Sequence, residues 1–136
     1  MEKEVQQKLI ELNLLDAKLR ELQQQEQIIE QQIMELQLLN NNLSEISKTE
    51  KNTNILAAIG SGIFAESTIK NTDEVFIDIG AKIIAKKSIG DAKELVNKRI
   101  ENVAYIKGSI VDEMNKIILQ LKILEKDIRE KISKEQ

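Results

Sequence analysis

The sequence predicts an α+β fold, in which a long antiparallel two-helix coiled coil carries a central segment of two β-hairpins. Heptad repeats of aliphatic residues run through both ends of the chain, whereas the glycines, apart from Gly108, lie in or beside the middle. The composition agrees, because the chain is 41% hydrophobic and 32% charged but only 2% aromatic, and it has no proline. Aliphatic seams with dense charge are typical of long helices rather than of a layered globule.

The first helix is predicted over about residues 2–48, a segment without glycine or proline. A strict period of 3.5 residues predicts a left-handed coiled coil. Most of its seam positions are apolar, and the polar ones are Lys8, Glu26 and Asn40. Asn40, like Lys107 in the second helix, is interpreted as a residue that sets the register. The seam comprises Val5, Leu12, Leu19, Glu26, Ile33 and Asn40 in one position, and Lys8, Leu15, Leu22, Ile29, Leu36 and Leu43 in the other.

The second helix is predicted over about residues 90–133, with Asp91 as its N-cap and Glu94 as the partner in a partial capping box. Its seam comprises Ile100, Lys107, Met114, Leu121 and Ile128, together with Val96, Val103, Ile110, Ile117 and Leu124. Gly108 lies outside the seam, where it indicates a bend or a close contact. Because the two helices have nearly equal lengths, we expect an antiparallel pair with both termini at one end.

The middle segment, about residues 53–88, predicts four short strands in two hairpins. A lone four-stranded sheet would have two open edges and too little surface to bury its apolar side chains. We therefore expect assembly with other subunits into a multi-subunit β-barrel platform. The residues predicted to mediate this oligomerisation are Ile55, Leu56, Ile59, Ile63, Ile69, Val75, Ile77, Ile79, Ile83 and Ile84.

Several functional classes are excluded or disfavoured by composition. The chain has no cysteine and no histidine, which removes thiolate nucleophiles, histidine acid–base chemistry and zinc sites with nitrogen or sulfur ligands. The net charge of −3 is made of interspersed signs, so nucleic-acid binding is not expected. No apolar run approaches the ~20 residues needed to cross a membrane, and the charged N-terminus is unlike a signal peptide. We expect a cytoplasmic protein that is not an enzyme and needs no metal or cofactor.

Two segments of the middle region carry a resemblance to a known family. Asn54–Phe64 (NILAAIGSGIF) and Thr72–Ala92 (TDEVFIDIGAKIIAKKSIGDA) resemble the hairpins of the prefoldin alpha family. One departure is Ala57-Ala58, where family members often have Val-Pro. The resemblance covers the whole chain and implies a single prefoldin-like domain over residues 1–136. It further implies a hexamer of two alpha-type and four beta-type subunits that holds unfolded client proteins without nucleotide and passes them to a group II chaperonin.

The open end of the helix pair is the predicted client-binding site. Terminal turns fray, and aliphatic residues outside the seam there cannot all be buried within the pair, so they offer an adaptable apolar surface. The predicted residues are Val5, Leu9, Ile10, Leu12, Leu124, Ile128 and Ile132. The alternative hypothesis is a structural coiled-coil scaffold, or a filament-forming protein, that assembles through its β segment and binds no client.

Overall fold

The computed structural model describes residues 2–135, so the first and last residues of the predicted domain, 1 and 136, lie outside the described part. Two long helices flank two antiparallel hairpins, which confirms the predicted fold class. The elements are α1 (Glu2–Lys48), β1 (Asn54–Gly60), β2 (Ile63–Thr68), β3 (Glu74–Gly80), β4 (Ile83–Ser88) and α2 (Ile89–Glu135). Hairpin 1 denotes β1 and β2, and hairpin 2 denotes β3 and β4.

The chain divides into two compact units, each with its own core. The helical unit contains the described residues up to Ile33 and those from Asn102 onward. Its core is a cluster of Leu22, Ile110 and Ile117, against which neighbouring seam residues pack. The hairpin unit is Met34–Glu101, and its core consists of Leu43, Ile89, Ala92 and Val96. Both cores are aliphatic, as the near absence of aromatic residues requires.

The predicted heptad register is confirmed in both helices, because every seam position is buried or half-buried. Two polar seam residues, Lys8 and Lys107, form ion pairs with the opposite helix. The Lys8 Nζ atom lies 3.4 Å from Asp127 Oδ2, and Lys107 Nζ lies 3.1 Å from Glu30 Oε1. Both pairs lie in the helical unit. The earlier residue of α1, Lys8, pairs with the later residue of α2, and the later residue of α1, Glu30, pairs with the earlier one, so the two helices are antiparallel there.

The seam residue Asn40 makes a comparable contact in the hairpin unit. Its Nδ2 atom donates to Asn97 Oδ1 at 2.7 Å. Lys93 reaches Ser44 Oγ, one helical turn further along α1, at 2.5 Å. The Asn40 Nδ2 donor reaches Asn97 only when the two helices are aligned in this register, which supports the interpretation of Asn40 as a register-setting residue. The Oδ1 atom of Asn40 is buried without a hydrogen-bond partner within the described residues.

The predicted cap of the second helix is wrong. The helix begins at Ile89, and the Ser88 Oγ atom accepts a hydrogen bond from the Asp91 backbone N–H at 3.1 Å. Ser88 is therefore the N-cap, and Asp91 lies in the first turn, where its charge favours the positive end of the helix. The earlier start has a packing reason, because Ile89 is buried in the core of the hairpin unit.

The prediction for Gly108 is also wrong in one respect. A Cβ atom added there would meet nothing within 4 Å. Within residues 2–135, no other side chain or backbone therefore approaches closely enough to explain this glycine.

The hairpins form two separate two-stranded sheets rather than one four-stranded sheet. In hairpin 1, Ala58 pairs with Phe64 and Leu56 pairs with Glu66, and the register shifts between Ala58 and Gly60. Hairpin 2 repeats the arrangement, with Asp78 paired to Ile84 and a register shift before Gly80. Each sheet leaves the outer edge of both of its strands unpaired within the described residues, which doubles the number of open edges that the sequence predicted.

Both hairpin turns have two central residues with positive φ, as a type I′ turn requires. In hairpin 1 these are Ser61 and Gly62, with φ of 46° and 80°. In hairpin 2 they are Ala81 and Lys82, with φ of 51° and 62°. Neither Ala nor Lys favours this region, since the Cβ atom approaches the following carbonyl oxygen at a cost of about 1–2 kcal/mol per residue. The second turn therefore holds backbone strain.

Replacing this turn by Asn-Gly (Ala81→Asn with Lys82→Gly) is expected to stabilise hairpin 2 by about 1–2 kcal/mol, because both residues tolerate positive φ. Denaturant unfolding would measure the gain. Ser61→Asn is the comparison variant in hairpin 1, where only the first position is strained because Gly62 already occupies the second, and it should raise the free energy of unfolding by less than the double replacement does. If the Asn-Gly variant is no more stable than the parent chain, the second turn does not hold the backbone strain described above.

Candidate functional site

Hairpin 1 exposes apolar side chains on both of its faces. Leu56, Ala58 and Phe64 share one face, as their cross-strand pairing shows, while Ile55, Ile59 and Ile63 alternate onto the other. All six are exposed. Glu66, on the face of Leu56 and Phe64, is the single charged residue in the two strands. A hairpin this apolar on both sides is typical of a surface that other subunits cover.

Hairpin 2 differs, because one of its faces is covered by its own chain. Val75 and Ile77 are half-buried against the core of the hairpin unit. The opposite face carries exposed Phe76 and Ile84. It also carries charges: Lys86 Nζ lies 3.7 Å from Glu74 Oε1 and 5.8 Å from the centre of the Phe76 ring.

The ten residues predicted to mediate oligomerisation thus divide into two groups. Ile69, Val75 and Ile77 are half-buried within the chain, and Val75 and Ile77 pack on its own core. The exposed group is Ile55, Leu56, Ile59, Ile63, Ile79, Ile83 and Ile84. Sequence reasoning missed the exposed Phe64 and Phe76 because it followed aliphatic residues, although strand alternation places Phe64 on the face of Leu56.

The seven predicted client-binding residues also divide. Leu9, Ile10 and Ile132 are exposed, Val5 and Leu12 are half-buried, and Leu124 and Ile128 are buried. The half-buried and buried residues occupy seam positions, so they pack between the helices; they are Val5, Leu12, Leu124 and Ile128. In the closed helix pair, the accessible apolar surface therefore consists of residues outside the seam.

Three further exposed aliphatic residues lie in the same part of the helical unit. Leu14 follows Ile10 by four residues, and Ile123 follows Leu119 by four, so each pair is adjacent on its helix surface. The sequence contained this signal, because all four positions fall outside the heptad seam. We use the name terminal apolar patch for the exposed aliphatic residues on the outer surfaces of the two helices in this part of the unit, namely Leu9, Ile10, Leu14, Leu119, Ile123 and Ile132.

Ion pairs join the helices beside this patch. Lys131 Nζ lies 2.7 Å from Glu4 Oε2, in addition to the pair of Lys8 with Asp127. The hydrogen bond from Lys131 lowers the pKa of the Glu4 carboxyl, and the same hydrogen bond raises the pKa of the Lys131 ammonium. The contact therefore persists at neutral pH and is lost as the pH falls through the lowered pKa of Glu4.

The described residues show no sign of metal chemistry or of a membrane span. Among residues 2–135, no cluster of three acidic side chains is arranged to hold a metal ion. None of the helices in this part of the chain is apolar enough over a sufficient length to cross a bilayer. The accessible features are the two apolar surfaces, on the hairpins and at the terminal patch.

Comparison with known sequences identifies relatives over most of the chain. The family model described as prefoldin subunit matches residues 15–134. A prefoldin subunit alpha of Thermofilum pendens is 29% identical over 87 residues, which cover 64% of this chain and 67% of the relative. A prefoldin subunit alpha of Archaeoglobus fulgidus is 25% identical over 134 residues, 98% of each chain.

Solved structures share the fold at lower sequence identity. A chain of filamentous PFD from Methanocaldococcus jannaschii matches with a TM-score of 0.75 at 15% identity, covering 85% of this chain and 95% of that one. The prefoldin beta subunit from Thermococcus matches with a TM-score of 0.61 at 18% identity, covering 93% and 90%. These likenesses concern the fold alone.

Proposed function

This chain belongs to the prefoldin alpha subunit family, and from that premise we propose that it is the alpha-type subunit of an ATP-independent holdase in the cytoplasm. In this proposal the hairpins mediate assembly, and the terminal apolar patch binds unfolded client proteins. The assembled chaperone then delivers its clients to a group II chaperonin.

The hairpin surfaces support assembly with other subunits. Seven of the predicted oligomerisation residues, together with Phe64 and Phe76, are exposed, and in the part of the chain that the structure describes each two-stranded sheet has unpaired outer edges. Isolated two-stranded sheets are marginal in water, and open edges pair readily with other strands. We propose beta-type subunits as partners, in a hexamer of two alpha and four beta chains, with the hairpins closing into barrels.

The terminal apolar patch is the observation that carries the client-binding proposal. Its six aliphatic residues are exposed while the seam beneath them is filled by Leu124 and Ile128, so the patch is not needed to hold the two helices together. An assembly would carry one such small apolar surface on each subunit. Several separate surfaces suit an extended client, which exposes apolar segments at many places along its chain. Each would bind weakly, and several subunits acting on one client would gain affinity through effective concentration.

The test is to recover the tagged chain from its own cells and measure the native mass, the composition and the holdase activity of the complex. The expected result is a complex of this chain with shorter one-hairpin subunits, which suppresses aggregation of a chemically unfolded protein without ATP. If a complex of that composition forms but does not suppress aggregation, the client-binding proposal is overturned and the assembly proposal stands.

A structural scaffold remains the second candidate, favoured by the open edges on both hairpins. Sheets with two unpaired outer edges can propagate an assembly as well as close one, and one chain of similar fold belongs to filamentous PFD. Electron microscopy of the purified chain alone separates the two functions. Long filaments made of this chain without any effect on client aggregation would favour the scaffold.

A further inference from the structure

The outer face of α2 carries basic residues between the aliphatic residues of the terminal apolar patch. With Leu121 and Ile128 at one seam position and Leu124 at the other, the heptad positions that point away from α1 form this outer face. From residue 116 to residue 130 it holds four bases, two aliphatic residues and one acid, all of them exposed. In chain order they are Lys116, Leu119, Lys122, Ile123, Lys126, Arg129 and Glu130. We use the name basic strip for the four bases among them.

The spacing places the bases directly beside the aliphatic side chains. Lys122 follows Leu119 by three residues and Lys126 follows Ile123 by three, and residues three or four apart are neighbours on a helix surface. The methylene groups of a lysine extend an apolar surface while its ammonium group stays in water. The surface offered to a ligand is therefore aliphatic at its centre and positively charged at its border.

The basic strip has no ion-pair partner within residues 2–135. The bases at the same end of α1 differ, because Arg20 pairs with Asp16 at 3.0 Å and Lys18 with Glu21 at 3.8 Å. On α2, Asp127 lies at a position that flanks the seam and pairs with Lys8 instead. The positive charges of the strip are therefore available to a ligand.

Helix stability does not explain these charges. Lys122 and Lys126 are four residues apart, and like charges at that spacing destabilise a helix. Cations are favoured at the C-terminal end of a helix, but that effect falls off within the last turn. Because α2 continues to Glu135, both lysines lie more than two turns before its end. A ligand that brings negative charge to this face accounts for them better than the helix itself does.

We propose that the terminal apolar patch selects client segments in which acidic residues lie next to apolar ones. The apolar side chains of such a segment cover Leu119 and Ile123, while its carboxylates pair with the ammonium and guanidinium groups of the basic strip. A lipid surface fits less well, because a helix that lies on a membrane needs a broad apolar face, and here the bases interrupt it. The inference rests on the proposed function, since it takes client binding at the patch as given and adds the class of client.

A crosslinker on this chain alone can report which segments bind there. The chain has no cysteine, and Ser133 is exposed four residues after Arg129. Ser133→Cys is labelled with a benzophenone maleimide before the chain is assembled with its partner subunits. The probes are three unstructured peptides of equal length that share the same leucines and carry glutamate, serine or lysine between them.

The glutamate peptide is expected to give half-maximal crosslinking at a concentration about tenfold or more below that of the lysine peptide, with the serine peptide between them. Complementary charges favour the first peptide and like charges disfavour the last. High salt should reduce the difference, because it screens charges in exposed positions.

Two variants with the same change in net charge locate the effect. Lys122→Gln with Lys126→Gln should reduce the difference between the glutamate and lysine peptides to about twofold or less, because it removes the central charges of the strip. The matched control is Gln24→Glu with Gln27→Glu, at exposed positions of α1 in the middle of the same unit. This control should retain the difference, and both variants should assemble to normal native mass.

The outcomes separate the inference from the proposed function. Loss of selectivity in the lysine variant alone supports the inference. Equal crosslinking of all three peptides in the parent complex would overturn it and leave client binding intact, and equal loss in both variants would assign the effect to net charge and also overturn it. Phosphatidylglycerol vesicles that bind through Lys122 and Lys126, without selectivity among the peptides, would assign the strip to a lipid surface. If no peptide crosslinks, both the inference and the client-binding proposal are contradicted.

Discussion

Replacing Leu56 and Phe64 together by aspartate is expected to abolish assembly, so that the native mass falls to that of the unassembled chain. Both side chains are exposed within the chain, so the double variant should fold, with unchanged helix content by circular dichroism. In an assembly, the two carboxylates would be buried in an apolar contact, at a cost of several kcal/mol each. Such a cost corresponds to a loss of affinity of at least about a thousandfold.

The chain provides a closely matched control for this variant. Met34 and Leu38 are exposed by 67% and 58%, the same values as Leu56 and Phe64. They lie in the same unit, but on α1. The double variant Met34→Asp with Leu38→Asp should therefore assemble normally. Loss of assembly in this control, or intact assembly in the hairpin variant, would show that hairpin 1 is not the interface.

Ile77→Asp is a less suitable probe of assembly, although Ile77 was among the predicted oligomerisation residues. The side chain packs on the core of its own hairpin unit. A carboxylate there would destabilise the chain itself, and loss of mass would follow from unfolding as readily as from a broken interface. The exposed face of hairpin 1 avoids this ambiguity.

Replacing Leu9, Ile10, Leu14, Ile123 and Ile132 by serine is expected to remove the contribution of this subunit to client holding. The complex should then need at least about ten times more protein to suppress aggregation of an unfolded test protein, because several weak apolar contacts act together. These residues lie outside the seam, so assembly and helix content should be preserved. The measurement is light scattering of the test protein diluted from denaturant, with native mass determined in parallel.

Substitution is a sharper test than removal of the helix ends. A deletion up to Leu12 and from Leu124 would also remove seam residues that hold the helices together, which confuses binding with stability. The matched control replaces Ile28 and Ile106 by serine, since both are exposed aliphatic residues of the same helical unit outside the patch. Equal loss of activity in the control would indicate general apolar adhesion, and unchanged activity in the patch variant would contradict client binding there.

The sequence by itself determined the period of the helices and therefore which residues form the seam. A heptad repeat places the same positions against the partner helix along its whole length, so Leu22 and Ile117 could be assigned to a core from spacing alone. Alternation likewise determined the strands of both hairpins, because a period of two is a local property. A glycine marked each turn, Gly62 within the first and Gly80 directly before the second.

Only the tertiary structure decided which apolar residues are left accessible. Val75 and Ile77 alternate like the rest of their strand, yet they are half-buried because the helices of the hairpin unit cover that face. Leu124 and Ile128 were expected to bind clients but are buried between the helices, while Leu14 and Ile123 are exposed. Ser88 became the helix cap because burial of Ile89 starts the helix earlier. Burial depends on what packs against a side chain, and that is a property of the folded chain that no local pattern contains.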